Sequence, residues 1–314
     1  MARNRRNKRE FKKILDVMSF KTFITLLIIL ITIIVVCLIN IYYRNYKDKQ
    51  LLAEQREELE KNIETIFSET NKNIEDSKNT VRNSVIRISA VGDILCENDM
   101  LKDAKEGNET YDFNSMFKNV YNLLGNSDIT LGTMETNFTT NAYSGYGKRN
   151  SPIAFAEAVK KSGVNLVSIS TNHSLDYGID GLQETKRSLE GLGYDVVGDD
   201  LGENRVLIKT IKNTKIAFLS YTYGVEKQEE ELESANVYDE KKVKEDLEYA
   251  NKNADYNIII MHWGNAYSTK PSKEQKNMAK FLVENGADII LGNHASAVQN
   301  MEIMKNKDGD NALV

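Results

Sequence analysis

The sequence is poor in the residues that interrupt or cross-link a fold. It has two prolines and two cysteines among 314 residues, and no low-complexity tract or internal repeat. Cys37 lies within a long apolar run and Cys96 lies far outside it, so the two cannot form a disulfide framework within one domain. The fold must therefore be stabilised by core packing. The sequence contains no linker-like tract that would divide the chain into two folded domains.

Charged residues are absent from residues 23–39, which are almost wholly apolar. With residues 40–43 the run reaches about the 20 residues needed to cross a roughly 30 Å hydrocarbon layer. A cleaved signal peptide has a shorter apolar run followed by a small-residue cleavage site, which this sequence lacks. The run predicts an uncleaved transmembrane helix over residues 22–43, with Tyr42 and Tyr43 at the membrane interface.

The segment before this run carries eight basic residues against two acidic ones. By the positive-inside rule, residues 1–21 are predicted to be a cytoplasmic tail of a single-pass cell-membrane protein whose C-terminal domain is extracellular. A nucleic-acid-binding arm is the alternative for such a tail. Removing the +6 of this segment from the formal charge of −5 leaves −11 for the rest of the chain. An acidic exterior domain argues against nucleic acid as a partner.

Two further regions follow the predicted span. Residues 44–84 are polar and mixed in charge, with Leu52, Leu59 and Ile66 at a spacing of seven, which predicts a helical stalk or weak coiled coil; a flexible spacer is the alternative. From residue 85 onward, short apolar runs alternate with amphipathic stretches. This alternation predicts an α/β domain over residues 85–314, with helices covering a sheet.

The alternation also places the elements of this domain. Helices are expected over residues 114–124, 153–162, 178–191, 240–252 and 272–285. Strands are expected over residues 85–91, 128–131, 166–170, 216–220, 258–261 and 289–291.

Polar side chains follow five of the predicted strands at the point where each strand ends: Asp93, Glu135, Asn172 with His173, His262, and His294. In open α/β sheets the ligand site lies outside the carboxyl edge of the strands, so these side chains are expected to meet in one pocket. All three histidines of the chain occupy such positions. Carboxylate, imidazole and amide oxygen are ligands favoured by Zn, Mn or Fe, so the set predicts a divalent metal site whose metal the sequence does not identify. Histidines that are hydrogen-bonded or on the surface, without a metal, are the alternative.

Several segments resemble the bacterial capsule-synthesis CapA family, also called the poly-γ-glutamate synthesis protein family. They occur in family order at residues 91–95, 134–136, 150–152, 172–178, 261–264 and 292–294, with Gln299. The segments over 172–178 and 262–264 are the specific ones. The resemblance implies a layered α/β sandwich similar to the calcineurin-like metallophosphoesterases, preceded here by one transmembrane helix.

The resemblance also implies roles for individual residues. Asp93, Glu135, Asn172, His262 and His294 stand where such domains place metal ligands. His173 stands where they place a general acid, while Asn150, Ser174 and Asp176 are implied to bind substrate. The implied chemistry is metal-assisted attack of water on a phosphoryl or acyl centre.

The sequence departs from the family pattern at several positions. Glu97 and Ser296 stand where relatives commonly have histidine, Thr171 replaces a common asparagine, and Asn265 stands where an acidic residue is frequent. A serine is a poor substitute for imidazole, so at least one metal position is expected to be weak or empty. The chain also ends where the family pattern continues into a further strand, so the domain is expected to be incomplete at its C-terminus.

Other residues near these segments have two interpretations each. Cys96 is either a thiolate ligand or a buried small hydrophobe, and Tyr223 with its neighbours either lines the pocket or packs on the core. Lys148 and Arg149 either contact an anionic substrate or lie in a solvated loop. Trp263 is interpreted as a packing residue that positions His262.

Two functions from different classes follow from these predictions. The first is a membrane-anchored, non-catalytic protein of capsule or poly-γ-glutamate biosynthesis, assembly or export, with the anionic polymer or its synthesis machinery as partner. The alternative is a metal-dependent surface hydrolase acting on phosphoester or γ-linked amide substrates. An acidic domain repels a polyanion within about a Debye length of 8–10 Å, so a metal or a local basic patch has to offset the charge.

Overall fold

The computed structural model describes residues 46–47, 50, 61, 85–202, 205–225 and 234–314. The predicted tail and transmembrane helix, residues 1–43, lie outside the described residues. Within the described ranges no helix has both the length and the apolar character that a membrane crossing requires. Of the predicted stalk, the described residues Tyr46, Lys47, Gln50 and Lys61 are helical, and Gln50 Nε2 donates to Tyr46 Oη at 2.8 Å.

Residues Ser84–Val314 form one compact unit, which is built on two β-sheets. The first sheet is parallel throughout, with the order β1-β2-β3-β4; these strands are Ile88–Ile94, Ile129–Met134, Leu166–Ser168 and Asp195–Val197. The second sheet contains Leu207–Ile211 (β5), Thr214–Thr222 (β6), Tyr256–His262 (β7), Ile289–Asn293 (β8), Ile303–Lys305 (β9) and Asn311–Leu313 (β10). Its order is β5-β6-β7-β8-β10-β9, with parallel central pairs and antiparallel edge strands.

Seven helices connect these strands in the described part of the unit: Asn98–Ala104 (α1), Asn114–Phe117 (α2), Tyr121–Leu124 (α3), Ile153–Lys161 (α4), Gly178–Gly191 (α5), Glu240–Asn253 (α6) and Lys273–Glu284 (α7). The start of α7 is fixed by a capping box between Ser272 and Gln275, and α6 begins at Asp239, whose side chain accepts from Lys242 N. Such caps satisfy backbone N–H groups that have no partner within the helix.

The sheets and helices are arranged in four layers. The two sheets face each other across an apolar layer that includes Leu131 and Leu166 from the first sheet and Phe218 and Ile260 from the second. Helices α4 and α5 pack on the outside of the first sheet, and α6 and α7 pack on the outside of the second. The predicted α/β class is confirmed, and the helices lie on both outer faces of a two-sheet sandwich.

The predicted elements differ from the structure in three respects. Residues 114–124 form two short helices, because a turn in which Val120 N donates to Phe117 O at 3.0 Å separates them. Helix α1 and strands β4, β5, β9 and β10 were not predicted from the sequence. Of these strands, β4, β9 and β10 have only three residues each, which is too short for a clear periodicity.

A buried ionic network fixes α6 to the segment before β5. Asp246 is 6% exposed; its carboxylate accepts from Arg205 Nη2 at 2.7 Å and from the Tyr221 hydroxyl at 2.8 Å. We expect Asp246→Ala to lower the free energy of unfolding by about 2–3 kcal/mol, below the value for a fully buried pair, because Arg205 keeps 23% exposure and a second partner, Asp200. Urea unfolding measures the change. Glu284→Ala, which breaks an exposed pair with Lys280, should cost less than about 0.5 kcal/mol, and equal losses in the two variants would contradict the expectation.

Candidate metal centre

The centre lies at the carboxyl ends of strands from both sheets. Asp93, near the end of β1, accepts a hydrogen bond from the backbone N of His294, after β8, at 2.9 Å through Oδ2. Its other oxygen, Oδ1, lies 3.5 Å from Nδ1 of His262, the last residue of β7. Gly92 permits this approach, because a Cβ there would lie 2.4 Å from Asn293 Oδ1. A side chain at position 92 would therefore have to displace the Asn293 side chain.

His262 is the most deeply buried member of the centre. Its side chain is fully buried, and Nε2 lies 2.9 Å from Asn172 Oδ1. Nδ1 of His262 and Oδ1 of Asp93 are both buried, and neither has a hydrogen-bond partner within the described part of the chain. Two polar atoms left in this state are costly, and a cation bound beside them would satisfy both.

His294 lies beside His262 on the second sheet. The two ring centroids are 4.7 Å apart, and the backbone of His294 has a φ of +85°, in the left-handed region. This conformation turns the side chain towards β7 directly after β8 ends. Tyr223, 44% exposed, covers both rings at centroid distances of 6.4 Å to His262 and 5.1 Å to His294.

Glu135 follows β2 and completes a three-ligand group. Ligand atoms of Glu135, His262 and His294 all lie within 4.8 Å of one another. Burial raises the pKa of the Glu135 carboxyl, and the nearby histidines and Arg149 oppose the shift. Because this buried carboxylate, two imidazoles and the unsatisfied Asp93 oxygen converge, their donor set fits a divalent cation such as Zn²⁺ or Mn²⁺.

His173 lies on the other side of Glu135. Its Nδ1 donates to Asp176 Oδ2 at 2.8 Å, and its Nε2 lies 3.8 Å from Glu135 Oε1. A carboxylate on Nδ1 fixes both the orientation of the ring and the nitrogen that carries the proton. His173 is therefore held with Nε2 towards the centre, where the ring can donate a proton only when both of its nitrogens are protonated.

The structure brings together the metal ligands predicted from the sequence, but it places the predicted substrate-binding residues in the supporting framework. Asn150 is fully buried, and its side chain bonds Thr139 and Asn141 within the preceding loop. Ser174 Oγ donates to Ile169 O at 2.7 Å and accepts from Thr171 N at 2.8 Å. Asp176 orients His173. These contacts explain why the residue types are needed, while substrate binding by any of the three stays a prediction.

Arg149 is a residue for which the solvated-loop interpretation is wrong. Its side chain is 16% exposed, with Nε 3.5 Å from Glu135 Oε1 and Nη1 3.3 Å from Glu97 Oε1. The sequence contains only a weak indication that Arg149 is part of the site, because it is simply a basic residue beside the family-like segment at 150–152. Glu97 is half exposed in this pair, and Ser296 is exposed with a φ of +49°.

Two neighbouring residues pack in the core. Trp263 is 5% exposed within the cluster beneath α7. Cys96 is 1% exposed, and burial raises the pKa of its thiol to about 12. This agrees with the interpretation of Cys96 as a small hydrophobe, since the thiolate is the metal-binding form.

The buried thiol gives a direct test of packing beside β1. In a Cys37→Ser background, we expect Cys96 to resist a thiol reagent at pH 8 in the native protein, because the reactive thiolate is disfavoured. The same thiol should react fully after denaturation in guanidinium chloride. The reagent is a chromogenic disulfide, and the absorbance measures the reaction. Rapid labelling of the native protein would contradict the burial of this side chain.

A known protein family matches most of this domain. The family model described as bacterial capsule synthesis protein PGA_cap matches residues 87–308, more than half of the chain. The chain belongs to this family. The family resemblance noted in the sequence is thereby confirmed, and the matched residues contain every member of the centre.

Named relatives of this PGA_cap chain come from two Bacillus species. It is 28% identical over 241 residues to the "Capsule biosynthesis protein CapA" of Bacillus anthracis and 23% identical over 240 residues to the "PGA biosynthesis protein CapA" of Bacillus subtilis strain 168. Each match covers 71% of this chain, but only 57% and 61% of the respective relatives. The chain thus spans less than two thirds of the length of these relatives.

Solved structures similar to the PGA_cap chain are more distant. A hypothetical protein from Thermus thermophilus aligns with a TM-score of 0.46 and 16% identity, covering 72% of this chain and 74% of that one. A Staphylococcus aureus protein provisionally assigned as a 5′-nucleotidase, solved with alpha-ketoglutarate, aligns with a TM-score of 0.43 and 12% identity. That alignment covers 73% of this chain and 52% of the other.

Proposed function

We propose that this chain is a capsule-biosynthesis protein whose α/β domain is a divalent-metal hydrolase similar to the calcineurin-like metallophosphoesterases. The observation that supports this most directly is the convergence of Glu135, His262 and His294 within 4.8 Å, beside the unsatisfied oxygen of Asp93. Asn172 would complete the ligand set through its amide oxygen. The substrate would be an anionic phosphoester or γ-linked amide.

The residues of the centre have different roles in the proposed reaction. A divalent cation held by Glu135, His262 and His294 would supply a Lewis acid for the scissile bond. His173 holds a proton at Nε2 for the leaving group, and Asp176 keeps Nδ1 of the same ring protonated. The core around His262 excludes bulk water from one side of the centre and strengthens these electrostatic interactions.

The proposed setting is the outer surface of the cell membrane. Two relatives are named for capsule and PGA biosynthesis, and the residue 22–43 run would anchor the chain with residues 1–21 in the cytoplasm. The anionic capsule polymer or its synthesis machinery would then be the partner. Protease digestion of intact protoplasts tests this topology: the C-terminal domain should be cleaved and a tag on residues 1–21 protected, and the reverse pattern would reject it.

Metal content and turnover test the hydrolase. We expect the full chain, purified in detergent, to bind Mn²⁺ or Zn²⁺ and to hydrolyse bis(p-nitrophenyl) phosphate or poly-γ-glutamate. A chelator should remove both the metal and the turnover, and added metal should restore them. Absence of metal and of turnover on both substrates would reject the proposed function.

A non-catalytic role in polymer assembly or export is the second candidate. It is favoured by the lack of a second group of metal ligands among the described residues. Within the described ranges, Glu135, His262 and His294 are the one group of three or more acidic, histidine or cysteine ligands, while Glu97 pairs with Arg149. A single cation can hold an anionic polymer without cleaving it. Polymer retention by the metal-loaded protein, with no shortening of the polymer, would select this candidate over hydrolysis.

A further inference from the structure

The guanidinium of Arg149 has two edges in different environments. Nη1 donates to Gly145 O at 3.0 Å and to Glu97 Oε1 at 3.3 Å, which fixes one edge to the loop before α4. Nε lies 3.5 Å from Glu135 Oε1 and is buried without a hydrogen-bond partner in the part of the chain that the structure describes. The Nε–H on this side of the guanidinium thus faces Glu135 and has no hydrogen-bond acceptor among the described residues.

The position of Arg149 is tied to that of His173. Asp176 Oδ2 accepts from the backbone N of Arg149 at 2.7 Å and from His173 Nδ1 at 2.8 Å. Asn137 Nδ2 donates both to Arg149 O at 3.0 Å and to His173 O at 2.9 Å. Two shared partners therefore hold the guanidinium and the imidazole side by side, with Nε of one and Nε2 of the other facing the same oxygen of Glu135.

The guanidinium of Arg149 lies between the carboxylates of Glu97 and Glu135. An oxyanion at this position has to be held by the guanidinium against the repulsion of both carboxylates. A guanidinium presents two parallel N–H donors that match two oxygens of a phosphoryl group or carboxylate.

We propose that Arg149 binds the oxyanion of the substrate through its Nε–Nη2 edge and holds it beside the proton donor His173. This inference rests on the proposed function, because the oxyanion would lie at the metal centre. It makes Arg149 a specificity-determining residue for substrates that carry a phosphoryl or carboxylate group next to the scissile bond. Arg149 would not strengthen the binding of neutral esters.

Calorimetric titration of the full chain with inorganic phosphate, with and without Mn²⁺, tests the proposal. We expect Arg149→Gln to weaken phosphate binding about 10- to 100-fold, as for loss of a charge-assisted bond. Lys148→Gln is the matched control, since it removes the same charge from an exposed neighbour and should change the affinity less than about twofold. Arg149→Lys keeps the charge but lacks the paired N–H donors of the guanidinium, so its affinity for phosphate should be about tenfold lower.

A second arm uses γ-glutamyl-glutamate as competitor. Displacement of phosphate by the dipeptide assigns the edge to carboxylates as well, and failure to displace it assigns the edge to phosphoryl groups; both outcomes support an oxyanion site. Equal phosphate affinity in Arg149→Gln, Lys148→Gln and wild type overturns the inference, as does a wild-type protein that binds neither probe. Thermal melting separates misfolding from lost contacts, and Arg149→Lys decides the matter where Arg149→Gln does not fold.

The same titrations separate this inference from the proposed function. Normal Mn²⁺ affinity with Arg149-independent phosphate binding would reject the role of Arg149 and leave the hydrolase intact. Absence of Mn²⁺ binding and turnover would reject the hydrolase, while the metal-free phosphate titration would still decide whether Arg149 holds an oxyanion.

Discussion

Replacing His262 by glutamine is expected to abolish specific metal binding and, with it, any turnover. The His262 side chain is fully buried and contacts Asn172 and Asp93, so no solvent-exposed group can take its place. The loss of metal affinity should exceed about 100-fold, because even removal of an outer-shell partner typically costs 10- to 100-fold. Competition with a fluorescent chelator measures the affinity directly, without depending on a substrate.

The control for this variant is Asn265→Ala, which changes an exposed residue in the loop after β7, three positions beyond His262. Its metal affinity should stay within about twofold of wild type. Glu135→Gln gives a second, nearly isosteric test that removes one ligand charge. Retention of wild-type metal affinity in both His262→Gln and Glu135→Gln would show that the centre binds no metal through these residues.

Replacing His173 by glutamine is expected to lower kcat by about 10²- to 10⁴-fold while leaving metal content unchanged, as for loss of a general acid. The separation of effects follows from the geometry, because Nε2 of His173 lies 3.8 Å from Glu135 and His173 is not a member of the three-ligand group. Steady-state kcat and metal content should be measured on the same preparations of wild type and variant. A parallel loss of metal would instead make His173 a ligand.

Two neighbouring substitutions serve as controls for His173. Asp176→Asn should lower the rate by about 10- to 100-fold, in the range seen for outer-shell partners, because it weakens the bond that orients the ring. Ser174→Ala removes the hydroxyl that bonds Ile169 and Thr171, so it should lower the melting temperature and leave KM unchanged. A raised KM in Ser174→Ala at unchanged stability would support the predicted substrate contact of Ser174 instead.

The members of the centre were predictable because each lies at or just after the carboxyl end of an apolar strand. Parallel strands bring their carboxyl ends to a common edge, so Asp93, Glu135, His262 and His294 could be grouped from the sequence. The apolar runs did not show that two separate sheets contribute residues to the centre, because such runs do not determine which strands pair. The short strands β4, β9 and β10 were missed for another reason, because three residues are too few to show a periodicity.

The roles of supporting residues were harder to predict. Arg149 and Lys148 are adjacent basic residues, yet the first is largely buried and the second exposed. That difference comes from Asp176 and Asn137, which fix the backbone at Arg149 through contacts 27 and 12 positions away in sequence. Tyr221 and Tyr223 divide similarly: Tyr221 is fully buried within β6, whereas Tyr223 lies after its end and covers the two histidine rings.

The hydrogen bond from His294 N to Asp93 joins two sheets whose contributing residues are 201 positions apart. Residues of both sheets contribute to the centre, so the group is complete only when the two sheets are packed together. Any cation that prefers the assembled state adds RT ln(1 + [M]/Kd) to stability, about 2.7 kcal/mol at a hundredfold excess over Kd. Metal supply would then govern the lifetime of the folded protein as well as its chemistry.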